Sequence, residues 1–162
     1  MTIEGTAVQS QGVPVAQATK RYAALLWFLA FLFLLRILGQ AIQRWSPVSY
    51  LPPFDSFQGS NLPYWILLSA QLAILAVMLR YAWRTHLGSL LPGRRAGIAL
   101  AWLGWIYMAG SIGRIVVGLF VPAAPGWFTA WISGVFHLVL AGYALILAYY
   151  HLRGSRLGQG GK

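Results

Sequence analysis

The chain contains four long runs of apolar residues, each bounded by proline, glycine or charged residues. A membrane-spanning helix needs about 20 such residues, because the hydrocarbon core is about 30 Å thick and each helical residue rises about 1.5 Å. The four runs that meet this length cover residues 22–43, 63–83, 98–120 and 126–150. This pattern predicts an all-α membrane protein in which four transmembrane helices form an antiparallel bundle.

Basic residues lie mostly on one side of the predicted membrane. They precede the first run, surround the connection between the second and third runs, and follow the fourth run: Lys20, Arg21, Arg80, Arg84, Arg94, Arg95, Arg153, Arg156 and Lys162. The connections on the opposite side carry only Arg44 and Asp55 as charged residues. Cytoplasmic loops are enriched in lysine and arginine, so we expect both termini in the cytoplasm and a bacterial inner membrane as the location.

The composition agrees with a single membrane domain. Of the 162 residues, 59% are hydrophobic and 9% are charged, which lies outside the range of soluble globular proteins. We expect a disordered cytoplasmic tail at 1–18, the four-helix transmembrane domain at 19–153 and a second cytoplasmic tail at 154–162. The net charge of +10 is spread along helix ends, so the expected partner of these cations is the lipid bilayer and not nucleic acid.

Two features concern the connections on the outer side. Residues 44–62 are rich in proline and aromatic residues, which favours a packed cap over a flexible linker.

Arg36 and Gly39 near the outer end of the first helix are echoed by Arg114 and Gly118 in the third. A tandem duplication of a helical hairpin is therefore a further hypothesis.

The residue types that most catalytic sites need are scarce. The chain has no cysteine, which excludes disulfides, thiolate metal sites, iron–sulfur clusters and thiol nucleophiles. It has two acidic residues, and its sequence holds no phosphate loop, nucleophile elbow or zinc-binding helix motif. We therefore expect a protein that is not an enzyme in its own right.

Each predicted helix carries one strongly polar residue at a similar depth. Counted at about 1.5 Å per residue, all four fall on the outer side of the bilayer centre, within roughly 1 to 8 Å of it. They are Arg36, Gln71, Arg114 and His137. Gln40 and Tyr107 extend the layer because they lie at helical spacing from the arginines. Polar residues are costly within a span, so this layer is the candidate ligand-binding site.

Two interpretations of the arginines stay open at this point. No acidic residue lies in the four spans to pair with Arg36 or Arg114. In the first interpretation each side chain extends to the outer headgroups, and Asp55 folds in from the outer loop as their partner. In the second, both arginines converge on an anionic or carbonyl-bearing lipophilic ligand, such as a lipid phosphate or a quinone, which Gln71 and His137 also contact.

His137 allows a separate hypothesis, the ligation of a tetrapyrrole such as haem or chlorophyll. Small residues surround it at helical spacing and leave a flat helix face: Ser133, Gly134, Ala141 and Gly142. Small residues near polar ones are also typical of helix packing in membranes, and His86 and His151 lie at the cytoplasmic ends. The sequence therefore requires no cofactor, and a quinone, a lipid or a tetrapyrrole are the candidates.

The first two helices resemble the DoxX-type small membrane proteins. The resemblance rests on Arg36-Ile-Leu-Gly39 near the outer end of the first helix, on Gln71 in the middle of the second, and on the four predicted spans. That family often carries an acidic residue in the second helix, and its outer connection is usually shorter than residues 44–62. The resemblance implies a small membrane partner of redox or quinone-linked systems.

These observations lead to three functional hypotheses. The expected function is that of a non-catalytic accessory or assembly subunit of a larger membrane complex, of the electron-transfer or photosynthetic type. Its partners would be other membrane subunits or further copies of the chain. The alternative is a protein that binds or transports a small molecule, lipid or quinone through the arginine layer. The third is a membrane enzyme or redox carrier built on His137 and a cofactor.

Overall fold

The computed structural model describes residues 12–58, 62–121, 128 and 130–157. Within these residues all regular structure is helical. The described helices are α1 (Gly12–Trp45), α2 (Phe54–Gln58), α3 (Tyr64–His86), α4 (Arg94–Phe120) and α5 (Trp131–Leu157). The short helix α2 lies in the proline-rich connection, which therefore contains regular structure that the sequence pattern did not predict.

Four of these helices are long and apolar enough to cross a membrane. Their candidate spans are Thr19–Trp45, Tyr64–His86, Arg94–Phe120 and Trp131–Ser155. The prediction of a helical fold with four helices long and apolar enough to span a membrane is therefore confirmed for the described residues. Such helices indicate an integral membrane protein.

The helix ends differ from the predicted boundaries at both termini. α1 begins at Gly12, inside the segment predicted as an amino-terminal tail, and α5 begins at Trp131 instead of residue 126. α5 also continues into the predicted carboxy-terminal tail and ends at Leu157. The rest of both tails, and residues 122–127 of the second outer connection, lie outside the described residues.

α3 has sequence signals at both of its ends. Pro63 precedes its first residue, where a missing backbone N–H is tolerated because the first amides of a helix have no helical partner. At the other end Gly88 adopts a φ of 65°, and its amide donates a 3.0 Å hydrogen bond to the carbonyl oxygen of Thr85. This left-handed conformation favours glycine and turns the chain towards α4.

The long helices pack as two pairs. α4 packs along α5, α1 packs along α3, and contacts between α1 and α5 join the pairs. Glycine permits the close approach of α4 and α5, because a Cβ at Gly104 would lie 2.8 Å from Leu145, and one at Gly134 would lie 2.7 Å from Ile115. Within the described chain, the consecutive helices α3 and α4 are not among the closely packed pairs.

One face of α1 forms the centre of the core. Its buried residues recur at intervals of three and four positions, as expected for a single helix face: Leu26, Ala30, Phe33, Ile37, Gln40 and Gln43. The apolar part packs against α3 and α5 through Leu75, Met78, Tyr143 and Leu147. Towards the carboxyl end of α1 the same face becomes polar, and this change positions the candidate site.

Candidate ligand-binding site

A cavity of about 240 Å³ lies between the four long helices. Each of these helices contributes to its polar lining, which consists of Arg36, Gln71, Tyr107, Arg114, Ser133 and His137. The structure thus brings five of the six residues of the predicted layer to one cavity. The sixth, Gln40, is fully buried and hydrogen-bonded to Gln71.

Arg36 is held inside the molecule, with 5% of the residue exposed. Its Nη2 donates a 3.0 Å hydrogen bond to the carbonyl oxygen of Phe57, and its guanidinium carbon lies 5.6 Å from the centre of the Phe136 ring. The ring faces a cation, an arrangement that stabilises a desolvated guanidinium. The buried Nε has no hydrogen-bond partner among the described residues, so one donor of Arg36 is unsatisfied in this structure.

Arg114 occupies the corresponding position on α4 and is 6% exposed. Its Nη2 donates a 3.4 Å hydrogen bond to the carbonyl oxygen of Ala130, just before α5. Both guanidinium groups are therefore anchored by backbone carbonyls at the end of the molecule that carries α2. Because both side chains are buried and line the cavity, they face the interior rather than extending to the surface as the first interpretation required.

The outer connection contacts Arg36 through its backbone. Asp55, the predicted carboxylate partner, lies on α2 with an exposed side chain. The hydrogen bond from Arg36 to this helix goes to the Phe57 carbonyl oxygen, and the buried Phe57 ring fits over Gly39, where a Cβ would lie 3.6 Å from it. α2 therefore covers one end of the site with an aromatic side chain and a carbonyl group.

Gln71 connects α3 to α1 within the core. Its Nε2 donates a 3.0 Å hydrogen bond to Oε1 of Gln40, and both residues are buried. Two atoms of this pair, Oε1 of Gln71 and Nε2 of Gln40, have no hydrogen-bond partner among the described residues. Buried polar atoms are normally paired, so Gln71, which lines the cavity, is a candidate contact for a ligand or a water molecule.

His137 and Tyr107 form the α4–α5 wall of the cavity. The Nδ1 atom of His137 lies within hydrogen-bond distance of the Ser133 carbonyl oxygen, which can only accept, so this nitrogen is the donor. In the neutral ring Nε2 is then an acceptor. The His137 and Tyr107 rings are 5.4 Å apart between centres, at an interplanar angle of 53°. This wall therefore supplies an imidazole nitrogen and a phenol beside the two arginines.

Among the described residues, no group of three or more histidine, cysteine, aspartate or glutamate side chains is placed to hold a metal ion. Pockets for drug-sized ligands measure about 300–1,000 Å³, and the cavity at about 240 Å³ is smaller. Its size suits the head of a ligand better than a macrocycle. Ligation of a tetrapyrrole by His137 stays a prediction.

The sequence pattern missed Phe136, which lines the cavity, and Gln43, which holds the outer connection next to it. Phe136 carries no distinguishing signal in the sequence, because an aromatic residue is common in a membrane span and its role depends on the neighbouring cation. Gln43 was missed although Arg36, Gln40 and Gln43 follow one another at intervals of four and three residues on one helix face. Gln43 binds the outer connection, with hydrogen bonds to the carbonyl oxygens of Leu51 and Pro52.

Comparisons with protein-family models, with curated proteins and with solved structures each found no match to this chain. Its function is therefore inferred from the residues of the cavity and their chemistry.

Proposed function

We propose that this chain is a non-catalytic integral membrane protein that binds the anionic or carbonyl-bearing head of a ligand between its four helices. One observation carries this proposal: Arg36 and Arg114, on different helices, are both buried and line the same cavity. The four spans contain no acidic residue, so the positive charge of this cavity has no carboxylate to balance it there. A ligand with negative oxygens would balance this charge, and one with carbonyl oxygens would accept hydrogen bonds from the polar lining.

The remaining polar groups fit a binding site better than a catalytic one. Gln71 offers an amide oxygen, His137 an imidazole nitrogen and Tyr107 a phenol, which together orient a polar head by hydrogen bonds. Lipid phosphates and quinones are the candidate ligands, because both combine oxygen acceptors with an apolar body. The DoxX-type resemblance favours the same role, as a small partner of a redox or quinone-linked system.

We place the chain in a bacterial inner membrane as an antiparallel bundle with both termini in the cytoplasm. Contacts between opposite helix ends support the antiparallel packing: Gly97 near the start of α4 lies against Leu152 near the end of α5. Arg153 of α5 also donates a 3.3 Å hydrogen bond to the Tyr22 hydroxyl near the start of the α1 span. The arginine cavity then lies towards the outer leaflet.

A tandem duplication of a helical hairpin is part of the same proposal. It is supported by the equivalent bonding of the two arginines. Arg36 donates to a carbonyl oxygen of the segment that joins its own helix to the next span, and Arg114 does the same, with Phe57 and Ala130 as the acceptors. Each hairpin would then contribute one arginine to the shared cavity.

The second candidate function is that of an accessory or assembly subunit of a larger membrane complex. Trp105 favours it, because this residue is 63% exposed and lies two residues from the middle of α4. Tryptophan is enriched at membrane–water interfaces, whereas this position is only about 3 Å from the helix midpoint. A neighbouring protein subunit, or a second copy of the chain, would cover such a side chain.

Purification from native membranes in a mild detergent tests the proposal. Mass spectrometry of bound lipids and quinones should find a ligand with anionic or carbonyl oxygens in the wild type, and much less of it in Arg36→Gln and Arg114→Gln. Arg80→Gln, which removes an exposed arginine, is the matched control and should keep the ligand. Equal ligand content in all four proteins would contradict the proposal, and stable partner proteins with no ligand would favour the second candidate.

A further inference from the structure

The side of the molecule between α3 and α4 differs from the other sides. The pairs α1–α3, α4–α5 and α1–α5 pack closely, whereas α3 and α4 are not among the closely packed pairs of the described chain. Both helices nevertheless contribute to the cavity wall, through Gln71 and Ile74 on one side and Tyr107 and Arg114 on the other. The wall of the cavity is therefore packed least tightly on this side.

Exposure of the lining residues places an opening there. Ile74 is 39% exposed and Tyr107 is 38% exposed, although both line the same cavity as the buried arginines. Ala70, one turn before Ile74, is an exposed lining residue as well. The cavity thus reaches the molecular surface between the two helices.

The depth of this opening in the membrane determines whether it faces water or lipid. Ile74 is adjacent to the middle residue of α3, and Tyr107 is the middle residue of α4. In a bilayer both positions lie near the centre of a hydrocarbon layer about 30 Å thick. A group that enters here comes from the lipid phase and not from water.

Charge selects the kind of head that this cavity accepts. Two buried guanidinium groups line it, and no acidic residue lies in the four spans. A neutral head would leave both positive charges in the membrane interior, whereas an anion would compensate them. The volume of about 240 Å³ suits a head alone, so a tail would have to leave the cavity.

We infer that the ligand is an anionic amphiphile that enters from the bilayer between α3 and α4, and this inference rests on the proposed binding function. Its phosphate or carboxylate head binds between Arg36 and Arg114. Its tail passes Ile74 and Tyr107 and stays in the hydrocarbon layer. This inference names the class of ligand and its route, both of which the proposed function leaves open.

The head chemistry is tested in phosphatidylcholine nanodiscs by native mass spectrometry. Phosphatidic acid and a long-chain fatty acid distinguish the phosphate and carboxylate sources of the anion, and a long-tailed quinone serves as the neutral probe. Inorganic phosphate and acetate are the tail-free probes. At least one anionic amphiphile should bind, its tail-free counterpart should bind roughly tenfold more weakly or worse, and Arg36→Gln should lower binding of the amphiphile.

The route is tested by fluorescence, because the chain has no native cysteine to compete for a label. A bimane label is attached to Ile74→Cys, and to Val77→Cys as the control on the exposed part of the same helix, outside the cavity lining. The amphiphile that binds is then added in small amount with a brominated tail, which quenches bimane fluorescence. Quenching should be saturable at position 74 and weaker at position 77. Arg36→Gln should abolish this difference.

The outcomes separate the inference from the function on which it rests. If a tail-free anion binds as well as the amphiphile, or quenching is equal at both positions, the side entry is wrong while the binding function stands. If only the quinone binds and Arg36→Gln weakens it, the anionic head is wrong and the carbonyl form of the proposed function stands. If no probe binds, or binding is unaffected by Arg36→Gln and Arg114→Gln, both proposals fail.

Discussion

The Nε2 atom of Gln71 donates a 3.0 Å hydrogen bond to Oε1 of Gln40, and this bond joins α3 to α1 inside the core. Gln40 is fully buried and Gln71 is 4% exposed. The bond therefore lies behind the cavity wall, where loss of either partner leaves the other amide buried and unpaired. It adds a polar contact to the apolar packing of α3 against α1.

We expect Gln40→Met and Gln71→Met each to destabilise the folded protein by about 1 kcal/mol, the range of hydrogen bonds between membrane helices. Reversible unfolding in mixed detergent micelles measures this change. The double variant should lose less free energy of unfolding than the two single variants lose together, because the second substitution removes an amide that is already unpaired. Strict additivity would show that the two amides do not interact, and Ser69→Ala on the exposed face of α3 serves as the control.

Gly104→Ala should destabilise the contact between α4 and α5. The added Cβ would lie 2.8 Å from the side chain and 3.3 Å from the backbone nitrogen of Leu145, and such overpacking typically costs about 1–3 kcal/mol. Gly110→Ala on the same helix is the matched control, since its Cβ would meet nothing within 4 Å. Alanine is the better helix former there, so stability should stay equal or rise. A similar loss in both variants would point to a general intolerance of α4 and not to this contact.

Gln43→Ala should loosen the connection that covers the cavity. The Gln43 side chain binds three backbone groups: the carbonyl oxygens of Leu51 and Pro52, at 3.1 and 2.8 Å, and the amide of Val48, at 2.7 Å. Without them, hydrogen exchange at Val48 should become faster, while exchange in the middle of α3 stays unchanged. Unchanged protection of Val48 would mean that other contacts hold this segment.

Cysteine labelling in intact cells tests the membrane orientation. Ser49 and Ser89 are both exposed and lie in the first and second connections between spans. Ser49→Cys should react with an impermeant maleimide added outside, whereas Ser89→Cys should react only after the membrane is opened. The reverse pattern would overturn the positive-inside prediction, and the wild type, which has no cysteine, gives the background.

Much of the candidate site could be predicted from the residues alone. Arg36, Gln71, Arg114 and His137 stand out because polar residues in a span are rare and costly, and their distances from the helix midpoints already placed them at one depth. Their partners could not be predicted in this way. The Phe57 and Ala130 carbonyl oxygens belong to backbone that every residue carries, so only the path of the connections shows which carbonyls reach the arginines.

Residue types and their order along the chain are enough to predict the number of spanning helices, their approximate limits and the depth of the polar layer. They are enough because apolar length and the cost of buried polar groups depend only on residue type and position along one helix. Only the packed helices show which helices pair, where the cavity opens and that both arginines face inwards. These features depend on the rotation of each helix and on the fit of side chains, such as Leu145 against Gly104. Hydropathy predicts neither the rotation nor the fit, because membrane helices are apolar on most of their faces.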